Sequence, residues 1–303
     1  MNLEKAANIA LMFGIDVTEA KPLNKGHINS TMLAQSYQGR FILQSLNTAV
    51  YKDPAAVSSN LAEVIRCVGG AEDVAVPEYL TAEGRLMVWD DGGMWRMYRY
   101  TEELCRPLTD SEIVYNTGFA CGAFMRALKN GRPQLTPVIA GFHDFRRHYL
   151  EFVRASEAHP LPHELRTLGD KLISCCAGVC LNSSRTPIRP IHGDAKADNF
   201  VLGTSAQSGT VIDLDTVMYS YAYIDYGDLI RSVTAKYGMD SAERATRGFA
   251  DGLGGTLSRE ERDSLYGGVI YVTAELALRY LTDYMQGAVF FRSKTPMECL
   301  ERT

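Results

Sequence analysis

The pattern of apolar and polar residues changes about one third of the way along the chain. Before residue 100, short runs in which apolar and polar residues alternate predict strands, with one helix at the N-terminus and one between the strands. These elements are predicted at residues 1–15 (helix), 30–37 and 40–46 (a hairpin around Gln38-Gly39), 52–68 (helix), and 77–80, 85–89 and 95–100 (strands). The first part of the chain is therefore predicted to be rich in β-structure.

From residue 110 onward, apolar residues recur at spacings of three and four, which is typical of helices. Asp110 or Ser111 is predicted as the N-cap of the first of these helices. Further helices are predicted at residues 144–155, 163–181, 240–253 and 259–285, and strands only at 189–192, 200–202 and 210–214. The pattern predicts an α+β, two-lobed architecture, with an N-terminal lobe at residues 1–100 and a C-terminal lobe at residues 101–303.

Composition and charge exclude several classes of partner. Hydrophobic residues make up 46% of the chain and charged residues 22%, and the net charge is −5 without a basic run. We expect no nucleic-acid partner, because binding a phosphate backbone needs clustered Lys and Arg. We also expect no membrane partner, because the apolar segment at residues 267–285 carries three charged side chains and the N-terminus lacks the features of a signal peptide. A monomer or weak homodimer is expected.

The seven cysteines follow no pattern that indicates a metal site or a disulfide framework. Cys175, Cys176 and Cys180 lie in one predicted helix, and no second pair of ligands accompanies them. We interpret the cysteines as small buried residues, which predicts a reducing, cytoplasmic compartment.

The chemistry is concentrated between residues 191 and 215. The residues from His192 to Asn199 have the spacing H-x-D-x-x-x-x-N, and an apolar strand ending in Asp213-Leu214-Asp215 follows. Phosphoryl transfer needs a carboxylate that accepts the proton of the acceptor hydroxyl, and oxygen ligands that hold Mg²⁺ against the nucleotide phosphates. The pattern predicts Asp194 as the catalytic base, and Asn199, Asp213 and Asp215 as metal-site residues, with ATP and Mg²⁺ as cofactors.

Two other nucleotide-binding designs are absent from the sequence. It contains no G-x-x-x-x-G-K-[ST] segment, which excludes a P-loop kinase. No G-x-G-x-x-G follows a predicted strand, which argues against a dinucleotide-dependent enzyme.

The region around Asp194 resembles the aminoglycoside phosphotransferase and choline kinase group, whose signature is H-G-D-x-x-x-x-N followed by I-D-x-D or I-D-x-E. The similarity extends over residues 224–231, where the group has an Asp that braces the catalytic loop, here Asp225. The resemblance implies a protein-kinase-like fold with a β-rich nucleotide-binding lobe and a mainly helical catalytic and substrate-binding lobe.

Four flanking segments are similar to the N-acetylhexosamine 1-kinases, at residues 26–31, 41–47, 213–218 and 281–284. This resemblance implies ATP-dependent phosphorylation of the anomeric hydroxyl of N-acetylglucosamine or N-acetylgalactosamine, so the expected partner is a small-molecule sugar. Two alternatives remain open: a kinase for another small alcohol, such as choline, homoserine or an aminoglycoside, and an inactive nucleotide-binding homologue.

The resemblance also implies roles for residues outside the motif. Gln44 takes the position of the third-strand Lys with which protein kinases bind phosphates, and Glu63 is expected to contact Gln44 or a metal-bound water. Arg231 is expected mainly to hold Asp228. The remaining assignments are Ser30, Thr31, Tyr98 and Tyr100 on the nucleotide side, and His27, Asp228, Arg231 and Arg302 on the substrate side.

Overall fold

The computed structural model describes residues 3–23, 28–90, 92–101, 108–182, 185–202, 209–288, 290–291 and 295–302. The helices of these parts are α1 (Leu3–Met12), α2 (Pro54–Val68), α3 (Asp110–Gly131), α4 (Phe145–Ala158), α5 (His163–Asn182), α6 (Ala222–Tyr237), α7 (Ser241–Leu253), α8 (Arg259–Met285) and α9 (Pro296–Glu301). The strands are β1 (Val17–Leu23), β2 (Ser30–Ser36), β3 (Gly39–Ser45), β4 (Val74–Ala75), β5 (Val88–Asp90), β6 (Gly93–Arg99), β7 (Ile188–Ile191), β8 (Phe200–Leu202), β9 (Gly209–Val211) and β10 (Met218–Tyr221).

The N-terminal region is an antiparallel sheet of five strands in the order β1-β2-β3-β6-β5. The predicted hairpin is confirmed, since β2 and β3 pair from Ser30↔Ser45 to Ser36↔Gly39. Strand β1 was not predicted, because an edge strand is covered on few sides and here leaves most of its side chains at or near the surface. The predicted strand at residues 77–80 is instead an isolated bridge between Tyr79 and Tyr98.

The two faces of this sheet differ in what they contact. On one face, Phe41, Leu43 and Met97 pack in a small core that includes Ile9 of α1. The opposite face carries the directly paired Thr31, Gln44 and Arg96, and Arg96 contacts Asp215 of the C-terminal region. The sheet thus has one face for packing and one face for chemistry.

A second, larger core joins α2 to the C-terminal helices. Leu61 and Val64 of α2 belong to the same buried cluster as Phe124 of α3 and Leu229 of α6. Strand β4 also pairs in parallel with β9. Because the larger core contains side chains from both sides of residue 100, the boundary at that residue stays a prediction.

The five helices predicted for the C-terminal region are present in order as α3, α4, α5, α7 and α8, whereas the hydrophobic pattern did not predict α6 and α9; the α+β class is confirmed. The start of α3 differs by one residue, since its N-cap is Thr109, whose side chain accepts from the Glu112 amide while the Glu112 carboxylate accepts from the Thr109 amide. Ser258 and Glu261 form the same reciprocal cap on α8. Within the parts of the chain that the structure describes, no helix is long and apolar enough to cross a bilayer.

Candidate active site

The predicted catalytic loop follows β7 and is fixed by the buried carboxylate of Asp225. The two oxygens of this carboxylate accept hydrogen bonds from the backbone amides of His192, at 2.7 Å, and Gly193, at 2.8 Å. Asp225 lies in the first turn of α6, and Ser232 of the same helix accepts from the Ala197 amide at 2.8 Å. Helix α6 therefore braces the loop at both ends, as the resemblance implied for Asp225.

The catalytic loop lies beside the loop that follows β9. His192 contacts the Ile212 carbonyl through Nε2 at 2.9 Å, and the Thr216 hydroxyl donates to the His192 carbonyl at 2.9 Å. Gly193 has φ +82°, and a Cβ at this position would clash with the Thr216 carbonyl oxygen. Glycine is required there both by the left-handed backbone and by the close approach of the two loops.

Asp194 is held by two neighbours of the same motif. The Lys196 ammonium donates to Asp194 Oδ2 at 2.6 Å, and the Asn199 amide donates to the Asp194 carbonyl at 2.7 Å and to Oδ2 at 3.2 Å. Burial raises the pKa of Asp194, but Lys196 and the hydrogen bonds outweigh burial, so the pKa lies below its usual value. The carboxylate is therefore ionised at neutral pH, as a proton acceptor must be.

Asp213 is in a contrasting environment. It has a left-handed backbone, with φ 60°, and its carboxylate accepts no hydrogen bond from the described residues. Burial, followed by the nearby charges of Asp194 and Asp215, raises its pKa above the usual value. A bound cation would relieve this repulsion, so the residue fits the predicted metal site.

Magnesium would need more ligands than the protein supplies at this point. The described residues contain no group of three or more His, Cys, Asp or Glu side chains suited to a metal. Asp213 and the amide oxygen of Asn199 would hold Mg²⁺ together with nucleotide phosphates and water, which is the usual manner in which this ion binds in phosphotransferases.

Asp215 is not arranged as the predicted metal ligand. Its carboxylate forms a two-pronged ion pair with Arg96 of β6, with Arg96 Nη2 donating at 2.8 Å, and also accepts from Asn29 Nδ2 at 2.7 Å. Both charged side chains are almost fully buried. The prediction is corrected because these N–H donors already surround the carboxylate, which serves as the counter-ion of Arg96.

A polar row crosses three strands next to this pair. Thr31, Gln44 and Arg96 face one another directly in the pairing of β2, β3 and β6. Gln44 donates to the Thr31 hydroxyl at 3.0 Å and accepts from Arg96 Nε at 2.8 Å. Sequence reasoning missed Arg96, although a charged residue in an otherwise buried strand was a usable signal.

The phosphotransferase enzyme family model matches residues 19–263, which is most of the chain. The chain belongs to this family. It is a small-molecule phosphotransferase with the kinase-like fold that the motif implied.

Solved structures share the fold of this phosphotransferase at low sequence identity. A microcompartment-associated aminopropanol kinase has a TM-score of 0.74 at 16% identity, covering 99% of this chain and 94% of its own. The spectinomycin phosphotransferase APH(9)-Ia, solved with ADP and spectinomycin, has a TM-score of 0.66 at 13% identity, covering 100% and 93%. The ethanolamine kinase of Plasmodium vivax has a TM-score of 0.62 at 12% identity, covering 93% and 81%.

Glu63 does not contact Gln44, which was one of the two contacts predicted for it in this phosphotransferase. Its carboxylate pairs with Arg66 at 2.8 Å and accepts from the Gln134 amide at 2.8 Å. Helix α2 turns Leu61 and Val64 into the core, which leaves Glu63 at the surface. The expected contact with Gln44 is therefore corrected.

The other nucleotide-side predictions concern Ser30 and two tyrosines. Ser30 is exposed at the start of β2. The Tyr98 ring packs against Tyr79 with centroids 4.9 Å apart, and Tyr100 lies under the guanidinium of Arg40 at 4.6 Å. Tyr98 lies on the same face of β6 as Arg96. No contact in the described residues tests its role beside a nucleotide, which stays a prediction.

The substrate-side predictions are distributed over distant segments. Asp228 and Arg231 form an ion pair within α6, with Nε–Oδ1 at 3.0 Å, as expected for Arg231. Arg302 pairs with Glu298 and lies 5.8 Å from the Tyr280 ring. His27 lies outside the described residues, so no contact tests its predicted role.

A second buried cluster supports the catalytic loop and was missed entirely. His143 contacts the Gly193 carbonyl through Nε2 at 2.7 Å and Glu275 through Nδ1 at 2.9 Å. His148 Nε2 lies 3.0 Å from the other Glu275 oxygen. Burial lowers the pKa of His143, but Glu275 outweighs burial and leaves the pKa above its usual value. No local spacing in the sequence connects these three residues.

Proposed function

We propose that this phosphotransferase transfers the γ-phosphoryl group of ATP to the anomeric hydroxyl of an N-acetylhexosamine. The observation that carries the phosphoryl-transfer part is the ionised Asp194 carboxylate, which Lys196 and Asn199 hold beside the Asp213 loop. The choice of acceptor is supported by the similarity of four flanking segments to the N-acetylhexosamine 1-kinases and by the charges around the catalytic loop.

In this mechanism Asp194 orients the acceptor hydroxyl and takes its proton as the bond to phosphorus forms. Lys196 donates to Oδ2, whereas Oδ1 accepts no hydrogen bond from the described residues and is available to the hydroxyl. The Lys196 ammonium also places positive charge where the transferred phosphoryl group carries negative charge. Magnesium, held by Asp213 and Asn199, would neutralise charge on the nucleotide phosphates.

The charges around the loop favour a neutral acceptor. Asp194, Asp215 and Asp228 are each paired with a cation, namely Lys196, Arg96 and Arg231. A polycationic aminoglycoside would need carboxylates that are free to bind its ammonium groups. Of the other carboxylates described at the loop, Asp225 accepts from the loop amides, Asp198 pairs with Lys236, and the proposed metal uses Asp213.

An amino alcohol is the second candidate acceptor. Proteins with this fold include the aminopropanol kinase and the ethanolamine kinase, whose acceptors carry a single amine. At 16% and 12% identity these likenesses support the fold alone, so we rank the amino alcohol below the sugar. An inactive homologue is disfavoured because Asp194, Asn199 and Asp213 are all in place.

The test is ADP release over a panel of N-acetylhexosamines, plain hexoses and amino alcohols, with phosphorus NMR of the product. We expect C1 phosphorylation, and a higher kcat/KM for N-acetylglucosamine or N-acetylgalactosamine than for glucose or galactose. Phosphorylation at C6, or turnover of amino alcohols without hexosamines, would contradict the sugar assignment.

The same assay tests the catalytic base. Asp194→Asn should lower kcat by about 10²–10⁴, which is typical of the loss of general-base catalysis. The matched control is Asp198→Asn, since Asp198 lies in the same loop but is 72% exposed and pairs with Lys236 at 2.9 Å. Near-normal turnover by Asp194→Asn would remove this residue from the mechanism.

A further inference from the structure

We propose that Arg96 is a positioning residue that couples the N-terminal sheet, through Asp215, to the loop after β9 that carries Asp213 and Asp215, which we call the metal loop, and thereby sets the position of Asp213. This inference rests on the proposed nucleotide- and magnesium-dependent function. Arg96, Gln44 and Asp215, which we call the sheet–loop bridge, take over the task that a Lys–Glu ion pair performs in protein kinases.

The register of the sheet explains why Arg96 reaches the metal loop. Arg96 stands directly opposite Gln44, so both side chains lie on the face that meets the C-terminal region. Its guanidinium donates from Nε and Nη2 to Gln44 Oε1, and from Nη1 and Nη2 to the Asp215 carboxylate. One planar side chain thus joins strand β3 to a loop that lies well over one hundred residues later in the chain.

The burial of Arg96 argues for positioning and against direct phosphate binding. The residue is 2% exposed, and four of its five N–H groups are committed to Gln44 and Asp215. A guanidinium removed from water must be paired and hydrogen-bonded to be tolerated. The pairing with Asp215 therefore constrains both partners, and the guanidinium presents little surface to a ligand.

Asp215 is also fixed by residues that flank strands β2 and β3. Asn29 donates to its Oδ2 at 2.7 Å, and the Asn29 side-chain oxygen accepts from the Asn47 amide at 3.0 Å. Asn47 in turn donates to the Ile28 carbonyl at 3.2 Å. The N-terminal region thus holds the Asp215 carboxylate between a buried Arg and an anchored Asn.

The position of Asp213 follows from these anchors. Asp213 lies two residues before Asp215 and has a left-handed backbone, which a non-glycine residue keeps only where its surroundings impose it. On the other side, Thr216 is bonded to the catalytic loop at His192. The short 3₁₀ helix at Leu214–Thr216 is therefore held by the sheet and by the catalytic loop, and Asp213 immediately precedes it.

A comparison with protein kinases shows why such a bridge is needed here. In those enzymes a Lys of the third strand pairs with a Glu of the following helix, and this pair must form for activity. This chain has Gln44 at the strand position, and Glu63 of α2 faces Arg66 and Gln134 instead. The sheet therefore reaches the metal loop directly, without an ion pair through α2.

The test compares Arg96→Met, Arg96→Lys, Asp215→Asn and the double variant Arg96→Met/Asp215→Asn. Arg99→Met is the matched control, because Arg99 lies on the same strand but pairs with Glu78 at the surface, at 2.9 Å. Binding of ADP is measured with and without Mg²⁺, in the absence of acceptor. Hydrogen exchange of the backbone at residues 213–217 is measured in the ligand-free proteins.

We expect Arg96→Met to weaken Mg²⁺-dependent ADP binding by about 10–100-fold, the usual loss when a residue supporting a metal ligand is removed. Metal-free ADP binding should change little, and exchange at residues 213–217 should rise. Asp215→Asn keeps the side-chain volume and should behave similarly, the double variant should be no worse than the poorer single variant, and Arg96→Lys should recover part of the loss.

Three outcomes would overturn the bridge. The first is loss of metal-free ADP binding in Arg96→Met, which would indicate direct phosphate contact. The second is full additivity of the effects of the two single variants on ADP binding. The third is hydrogen exchange at residues 213–217 that does not differ between Arg96→Met and Arg99→Met. Wild-type protein that binds no nucleotide in the presence of Mg²⁺ would instead overturn the proposed function. If the wild type binds ADP with Mg²⁺ normally and Arg96→Met binds it equally well, the sheet–loop bridge is overturned and the proposed function is not.

Discussion

Two clusters of buried charge flank the catalytic loop, and they differ in the cation that each one uses. Beside the loop that carries Asp213, Arg96 of the sheet pairs with Asp215. At Gly193, His143 pairs with Glu275 of α8 and also contacts the Gly193 carbonyl, while His148 Nε2 contacts the Phe142 carbonyl and lies 3.0 Å from the other Glu275 oxygen. Arg stays charged at any pH at which proteins fold, whereas His titrates near neutrality. The metal loop is thus held by a cation whose charge does not depend on pH, whereas the catalytic loop is contacted by a cation whose charge does.

The protonation state of His143 follows from its partners. Nε2 faces the Gly193 carbonyl oxygen and Nδ1 faces a carboxylate oxygen of Glu275, so both ring nitrogens face hydrogen-bond acceptors. Both can donate only in the imidazolium form. This agrees with a pKa of His143 above its usual value, a shift in which the attraction of Glu275 exceeds the opposing effects of burial and of Arg279.

The largest effect on stability is expected from Arg96→Met. The variant leaves the Asp215 carboxylate buried without its counter-ion, which costs about 3–5 kcal/mol in the free energy of unfolding. The loss should not decrease as the pH rises from about 6 to about 8.5, because Arg96 stays charged throughout this range in the wild type. Urea unfolding at several pH values measures it. A loss below about 1 kcal/mol, or one that decreases as the pH rises, would remove the contrast between the two clusters.

A smaller and pH-dependent effect is expected from Glu275→Gln. The variant removes the charge that raises the pKa of His143, and a hydrogen bond to a charged group contributes about 1.5–3 kcal/mol. A folded-state pKa above the unfolded value of about 6.5 means that the contribution is fully present below that pH. It is then lost as the pH rises through the folded-state pKa.

Stability curves of wild type and Glu275→Gln should therefore differ most at about pH 6 and converge as the pH increases. Asp263→Asn is the control on the same helix, since Asp263 is exposed and lies 3.6 Å from Arg259. Parallel curves for wild type and Glu275→Gln over the whole pH range would show that the contribution of His143 to stability does not depend on pH.

The contrast between local and distant information explains what the sequence could predict. Asp194, Lys196 and Asn199 meet because they lie within one short turn, so the motif spacing was sufficient to predict that Asp194 and Asn199 lie together, while their roles as base and metal ligand stay predictions. The hairpin of β2 and β3 was predictable for the same reason. Lys196 itself went unassigned, although its position two residues after the base was a usable signal.

Neither ion cluster could be predicted, because each depends on how separate elements are packed. Arg96 meets Asp215 only through the register of β3 and β6 and the docking of the sheet. His143 and Glu275 meet only where a loop packs on α8. Without the partner Arg96, Asp215 was indistinguishable in sequence from a second metal ligand. Strand β1 was missed because an edge strand needs no apolar alternation.

The smallest effect is expected from Glu63→Gln. Its loss of stability is that of a surface ion pair, with which the losses from the two buried clusters can be compared. Glu63 and Arg66 lie 2.8 Å apart with side chains 27% and 53% exposed, and such pairs contribute about 0.2–1 kcal/mol. The Gln amide oxygen can still accept from the Gln134 amide, so even this loss should be partial. The KM for ATP should stay within about two-fold of wild type, a change that corresponds to well under 1 kcal/mol. Urea unfolding and initial rates at varied ATP check both numbers. An increase of about ten-fold in the KM for ATP would instead restore Glu63 to the nucleotide site, and the link from sheet to metal loop would then run through α2 as well as through Arg96.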